Sequence, residues 1–457
     1  MTHAQDRSFL ATEPVGKLLL KLAVPTVAAQ LINMLYNIVD RVYIGHMPVD
    51  GALALTGVGV CMPLIMLVSA FAALVASGGA PRASIAMGEG RQDHAERIMG
   101  NCLTLLLAIS AVLTAILLFF SEPLLLAFGA SENTIGYAAA YMKLYAVGTV
   151  FVQLTLGMNL FITAQGFATT SMLSVLIGAV SNIILDPIFI YGFHLGVRGA
   201  ALATILSQAV SCVWVMSFLC GEKTALRIRR TNLRPDPRVF LPCIALGLAT
   251  FIMQMSESVI SVCFNSSLLK YGGDPAVGAM TILTSIMQFC LMPLQGLGQG
   301  AQPIISYNFG AKNADRVREA FFCLLRCSLC FSLPVWALIQ LFPTFFASIF
   351  TSNAALIAFT APALRVYALI LGLFGIQIAC QMTFTSIGSA GASILVAVMR
   401  KFILLVPLIY LMPAIFTADK TMAVYMAEPV ADFLSVCFAG TLFFFQFRRA
   451  LREMKQP

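Results

Sequence analysis

Gln30, Asn33, Asn37 and Asp40 stand in an otherwise apolar run, separated by 3, 4 and 3 residues. On an α-helix that spacing lines a single face, and Tyr36 lies beside it. A second apolar run holds Asn182 and Asp186, four apart, followed by Pro187. Proline has no N–H, so the carbonyl of residue 183 loses its helical donor. A carboxylate, an amide and a freed carbonyl within one turn make an oxygen-rich spot suited to Na⁺ or a proton. Structural readings compete: an interhelical hydrogen-bond seam for the first stripe and a simple proline kink for the second. The carboxylates favour ion chemistry, because a seam or a kink needs no buried charge.

The elements that must position these residues follow from composition. The 457 residues are 59% hydrophobic and 11% charged, with mean hydropathy +0.89, against roughly 25% charged in soluble domains. Such a chain cannot hide its apolar surface in soluble cores, which excludes a soluble enzyme and a disordered chain alike. Apolar runs long enough to span a bilayer fall at about 18–42, 55–81, 98–120, 143–165, 168–191, 199–220, 240–264, 277–303, 319–343, 363–385, 391–413 and 424–446. Twelve spans place both termini on one side. That side carries 19 Lys and Arg, from Arg7 to Lys455, against 6 on the other, so the positive-inside rule makes the termini cytoplasmic. The net charge of +8 therefore reads as topology and not as a nucleic-acid surface. The polar N-terminus lacks the layout of a cleaved signal peptide. Cys323, Cys327 and Cys330 lie on one helix face without a nearby His and read as packing. The four histidines, His3, His46, His94 and His194, are scattered in polar segments.

Depth tests whether the polar residues can meet. Helices 1 and 5 run outward and helix 6 runs inward, which brings Asp40, Asp186 and Thr204 to the outer part of the first half. Asn159 on helix 4 lies nearer mid-depth.

The two halves are repeats. Gly78, Pro81, Ser84, Gly88 and Asp93 match Gly300, Pro303, Ser306, Gly310 and Asp315 at a constant offset of 222. Six helices separate each pair, so both halves have the same orientation about an axis along the membrane normal, an arrangement used by transporters that rock one bundle against the other. The expected divisions are 1–222, a basic cytoplasmic linker at 223–238, 239–446, and a basic tail at 447–457. The polar stripe recurs as Gln254, Glu257 and Ser261, but Asp40 falls on Phe264 (offset 224) and Asp186 on Leu408 (offset 222). Arg400 and Lys401 lie about ten residues into helix 11, either paired with Glu257 or snorkelling along a cavity.

The segments QGAQPIISYNFGAKNADRVREA (Gln299–Ala320), YGGD (Tyr271–Asp274), NMLYNIVDRVYIG (Asn33–Gly45) and NIILDPIFIYG (Asn182–Gly192) resemble the multidrug and toxic compound extrusion (MATE) family, nearest to its MepA-like bacterial subgroup, over essentially the whole chain. The resemblance implies an all-α polytopic membrane protein with twelve transmembrane helices in two six-helix lobes. It also implies a bacterial plasma-membrane location, and efflux of bulky, often cationic drugs in exchange for H⁺ or Na⁺. Carried over residue by residue, the cation site is Asp40, Asn182, Asp186 and Thr204, with Asn159 as a further contact. Glu257 fits a site used by another branch of the family, whose second acid on helix 10 has no counterpart here. The expected substrate cavity is lined by Gln30, Asn33, Tyr36, Asn37, Asn159, Gln254, Glu257 and Ser261.

The expected protein is thus a monomeric antiporter in the lipid bilayer, acting on small-molecule drugs or organic cations. It uses no cofactor beyond the coupling ion, H⁺ or Na⁺, and binds no metal other than Na⁺. A flippase for lipid-linked saccharides would want a strongly cationic cavity, which only Arg400 and Lys401 offer. An intramembrane transferase would want clustered His or Asp-rich metal motifs, which are missing from the sequence.

Overall fold

The computed structural model describes residues 9–455; His3, Arg7 and the last two residues of the basic tail lie outside them. In chain order, α1 is Val15–Gly45, α2 Gly51–Gly88 and α3 Gln92–Ala127. The bent pair Ile135–Val147 and Thr149–Ala164 forms α4, Ala168–Gly192 is α5, and Val197–Cys220 is α6. Next, α7 and α8 are the two arms, 237–272 and 274–310, of one 74-residue helical stretch. Then come α9 (Ala314–Leu341), α10 (the bent pair Ala354–Tyr367 and Leu371–Ser386), α11 (Ala390–Ile415) and α12 (Lys420–Lys455).

Nine helices among the described residues are singly long and apolar enough to cross a membrane, and the two bent pairs bring the total to eleven. The twelfth comes from the 74-residue stretch. Unbroken it would run about 110 Å, far beyond a hydrocarbon core of roughly 30 Å. Gly273, at φ 67°, breaks it just before Pro275.

Most helices outrun the sequence-based bounds by several residues, because helical backbone continues into the polar interface. The fourth and tenth spans also depart from straight rods, bending by 58° and 42°. The bends fall at Gly148 and around Ile370, which are 222 apart. The repeat is thus kept in backbone geometry. Gly166 and Gly388, also 222 apart, take φ 88° and 75° at the turns into α5 and α11, a left-handed conformation suited to glycine. A short helix, Pro343–Phe350, follows α9 and had no counterpart in the expected spans. The twelve cysteines are free; Cys330 is exposed, whereas Cys323 and Cys327 pack against the second-half core.

Two helices cross between the halves. The first turns of α1 (Val15, Leu18, Leu19, Leu22) are buried with Ile304, Phe321 and Phe384 of the second half, whereas its end, at Ile44, is buried with Cys61 and Tyr145 of the first. Helix α7 does the reverse. Val239 and Cys243 lie in the first-half core, and Ile260 and Phe264 in the second.

The halves meet closely on the side of the termini. A Cβ on Gly88 would overlap the carbonyl of Tyr307, and one on Gly310 the carbonyl of Ile85, a reciprocal pair at the 222 offset. Gly78 is equally tight against Cys243, and Gly300 against Ala23. Such contact needs residues without side chains. Thr26 Oγ1 donates to the Gly296 carbonyl at 2.6 Å, and Gln30 Nε2 donates to Gln299 Oε1 at 3.2 Å. The rings of Phe71 and Phe251 meet 5.1 Å apart. Beyond this depth α1 and α7 present exposed polar residues, Asn33, Gln254, Glu257 and Ser261 among them. The molecule is a V that opens away from its termini.

Candidate functional site

In the first half, α1 and α5 bring two carboxylates together. Asp186 is fully buried and Asn182 nearly so. Pro187 ends the regular helix, and Ile188–Gly192 continues as a π-helical turn. One turn apart, Asn182 Nδ2 donates to Asp186 Oδ1 at 3.5 Å. The carboxyl groups of Asp40 and Asp186 lie within hydrogen-bonding reach of each other. Two carboxylates have no donor to share unless a proton or cation stands between them. Asp40 Oδ1, Asn182 Oδ1 and Asp186 Oδ2 are all buried without a hydrogen-bond partner, which is unusual for polar atoms in native interiors. Tyr36 lies in the field of both acids. Tyr141 lies near both Asp40 and Thr204, although Thr204 Oγ1 donates its own proton to the Ala200 carbonyl at 3.0 Å. Tyr191 Oη donates to the Tyr43 carbonyl at 2.7 Å, tying the end of α5 to the end of α1.

The other expected residues divide. Asn33 is exposed, and Asn37 Nδ2 donates to its carbonyl at 2.7 Å. Gln30 bridges the two halves, as described above. Asn159 Nδ2 donates to the Ser171 carbonyl at 3.3 Å, a tie between α4 and α5, and none of its hydrogen-bond partners is a carboxylate. The repeat copies this tie: Gln381, 222 residues on, donates to the Ser393 carbonyl, also at 3.3 Å.

The second half holds a different arrangement. Lys401 Nζ donates to Glu257 Oε1 at 2.5 Å. Arg400 pairs elsewhere: Nε donates to Asp432 Oδ1 at 2.8 Å and Nη2 to Glu428 Oε1 at 3.1 Å. Its guanidinium lies 4.8 Å from the centre of the Phe374 ring. Both bases sit on a π-helical segment, Met399–Leu405. Of the two sequence readings, pairing with Glu257 holds for Lys401, and neither holds for Arg400. The sequence reading missed Tyr141, Glu428 and Asp432. The acids left a visible signal, since they stand four apart in the twelfth apolar run and flank Pro429, much as Asn182 and Asp186 precede Pro187.

Among the described residues no group of three or more His, Cys, Asp or Glu converges to hold a metal ion. The first-half oxygens suit an alkali cation or a proton.

A family model described as MatE matches the chain twice, over residues 25–188 and 249–411. The chain belongs to the MatE family. Membership makes it a multi-span membrane transporter and not an enzyme, and the double match repeats the internal duplication. This MatE chain is 26% identical to the multidrug export protein MepA of Staphylococcus haemolyticus (strain JCSC1435) over 305 residues, 67% of each chain. It is 23% identical to MepA of Staphylococcus saprophyticus over 406 residues, 88% of each. A solved structure described as the outward-facing conformation of a multidrug resistance MATE family transporter superposes with TM-score 0.89 at 23% identity, covering 98% of this chain and 99% of that one. The likeness to that structure establishes the fold.

Proposed function

We propose that this MatE protein is a secondary active multidrug exporter that exchanges bulky, often cationic organic compounds for H⁺ or Na⁺. The observation that carries the reading is the set of partnerless buried oxygens on Asp40, Asn182 and Asp186. Two facing acids and an amide oxygen, with Asn182 Nδ2 the one donor among them, are a receptor for one small cation, and Thr204 adds a neutral oxygen beside Tyr141. The divisions 1–222 and 239–446 act as rocking lobes joined by the 223–238 linker, and one chain carries the whole cycle. With the termini cytoplasmic, as the basic-residue bias supports, the V faces outward. Entry of the cation neutralises the acid pair, α1 repacks against α5 near Pro25, and drug leaves the cavity lined by Gln30, Asn33, Tyr36, Asn37, Gln254 and Ser261. The MepA names of the relatives support the same substrate class.

The experiment is dye transport in membrane vesicles under separately imposed proton and sodium gradients. One gradient drives transport by the wild type. Asp186→Asn abolishes transport under either gradient while the protein still inserts and purifies. Wild-type transport by that variant sinks the assignment.

A further inference from the structure

The proposed exchange uses none of the second-half ion cluster, whose charges do not balance. Glu257, Glu428 and Asp432 supply three negative charges against two positive ones from Arg400 and Lys401, so the ionised cluster carries one in excess. Exposure is lopsided as well. The Lys401 and Arg400 side chains are 5% and 8% exposed, but that of Glu257 is 58%. Glu257 forms part of the wall of a cavity of about 250 Å³, together with Lys401, Glu428, Ser261 and the rings of Tyr367 and Phe264. Lys401 pairs with Glu257 on α7 and shares the wall of that cavity with a second carboxylate, Glu428 on α12.

A second pairing is available. With Lys401 on Glu428, Arg400 keeps Asp432, to which Nε already donates. Each buried base then has one buried acid, and no interior charge is stranded, which matters because an orphaned buried charge is the expensive outcome. The carboxylate released is Glu257, which already faces open space, where an unpaired charge costs little.

We propose that Lys401 is a tethered stand-in for a substrate cation. It holds Glu257 while the cavity is free and yields it, by moving to Glu428, to an organic monocation that settles on Glu257 beside Tyr367. The tethered amine sets a threshold, since a ligand without positive charge cannot replace it. This rests on the exporter reading only for its substrate class; the site is separate from the Asp40–Asp186 pair.

The test is calorimetric titration of the purified full-length protein, without any ion gradient, with N-methylquinolinium and its neutral isostere quinoline at pH 8. Lys401→Met removes the competitor and binds N-methylquinolinium about tenfold tighter; Glu257→Gln binds it about tenfold weaker. The double variant behaves as Glu257→Gln alone, and quinoline stays within about twofold throughout. The proposal is overturned if Lys401→Met leaves N-methylquinolinium binding unchanged or weaker, if quinoline moves in parallel, or if neither wild type nor Lys401→Met binds the cation. Should Lys401→Met fail to fold, Glu257→Gln, altered at an exposed side chain, decides alone: undiminished binding overturns the proposal. No gradient enters the measurement, so its outcome is independent of whether Asp40 and Asp186 couple transport.

Discussion

The two halves solve one electrostatic problem in opposite ways. Where α1 meets α5, two acids face each other with no base, and three oxygens have no partner. Where α7, α11 and α12 meet, three acids share two bases, and each acid has a cationic partner. One half leaves its compensation to a mobile ion, and the other carries most of it in its own side chains. A duplicated scaffold thus keeps its backbone, down to paired bends and turns, while its charge has diverged. The contrast also explains why the Asp40–Asp186 pair is the better candidate for coupling: Glu428 and Asp432, already paired with Arg400, have little need of a coupling ion.

That contrast can be broken experimentally. The largest effect is expected from Arg400→Met, which strands Glu428 and Asp432. Removing one partner of a buried ion pair costs about 3–5 kcal/mol, so the melting temperature of the purified protein falls sharply; an unchanged melt removes the distinction. Asp186→Asn is expected to act with opposite sign. It relieves a facing pair of acids and supplies a donor to Asp40, and so stabilises by about 1 kcal/mol in the same assay. A large loss there means that the acids were already compensated. The smallest effect sharpens the symmetry. Asn159→Ala loses one interhelical hydrogen bond and Gln381→Ala two, to the carbonyl and Oγ of Ser393, at about 1 kcal/mol or less apiece, so Gln381→Ala should lower the melt slightly more. A larger loss at Asn159→Ala, or a transport defect confined to it, makes Asn159 more than a tie between helices.

Much of this was legible in the chain. Asp40, at the end of the 3-4-3 stripe, and the Asn182–Asp186–Pro187 cluster mark the candidate first-half site, because a helical face and a missing proline N–H are local properties, whereas Gln30, Asn33 and Asn37 of that stripe make other contacts. The 222 offset names the duplication for the same reason. What stayed hidden depends on which helices touch. Neither Gln30 nor Gln299 says that they meet, and Arg400 was assigned no partner on α12, although Glu428 and Asp432 repeat the i, i+4 pattern used to find Asn182 and Asp186. Counting buried bases and not buried acids concealed a cluster that composition alone could have flagged. Tyr141 lies in an apolar run where a tyrosine signals nothing, and only the fold brings it near Asp40 and Thr204.

The exchange of α1 and α7 between the two cores bears on ancestry. Each half, cut from the other, would lose the apolar turns that the other's first helix lends across the boundary, Leu18 and Leu22 in one direction and Val239 and Cys243 in the other. A half-length forerunner with this packing could have completed its core only by trading first helices with a second copy of itself. In a single chain the same exchange is built in, with the geometry of a domain-swapped dimer.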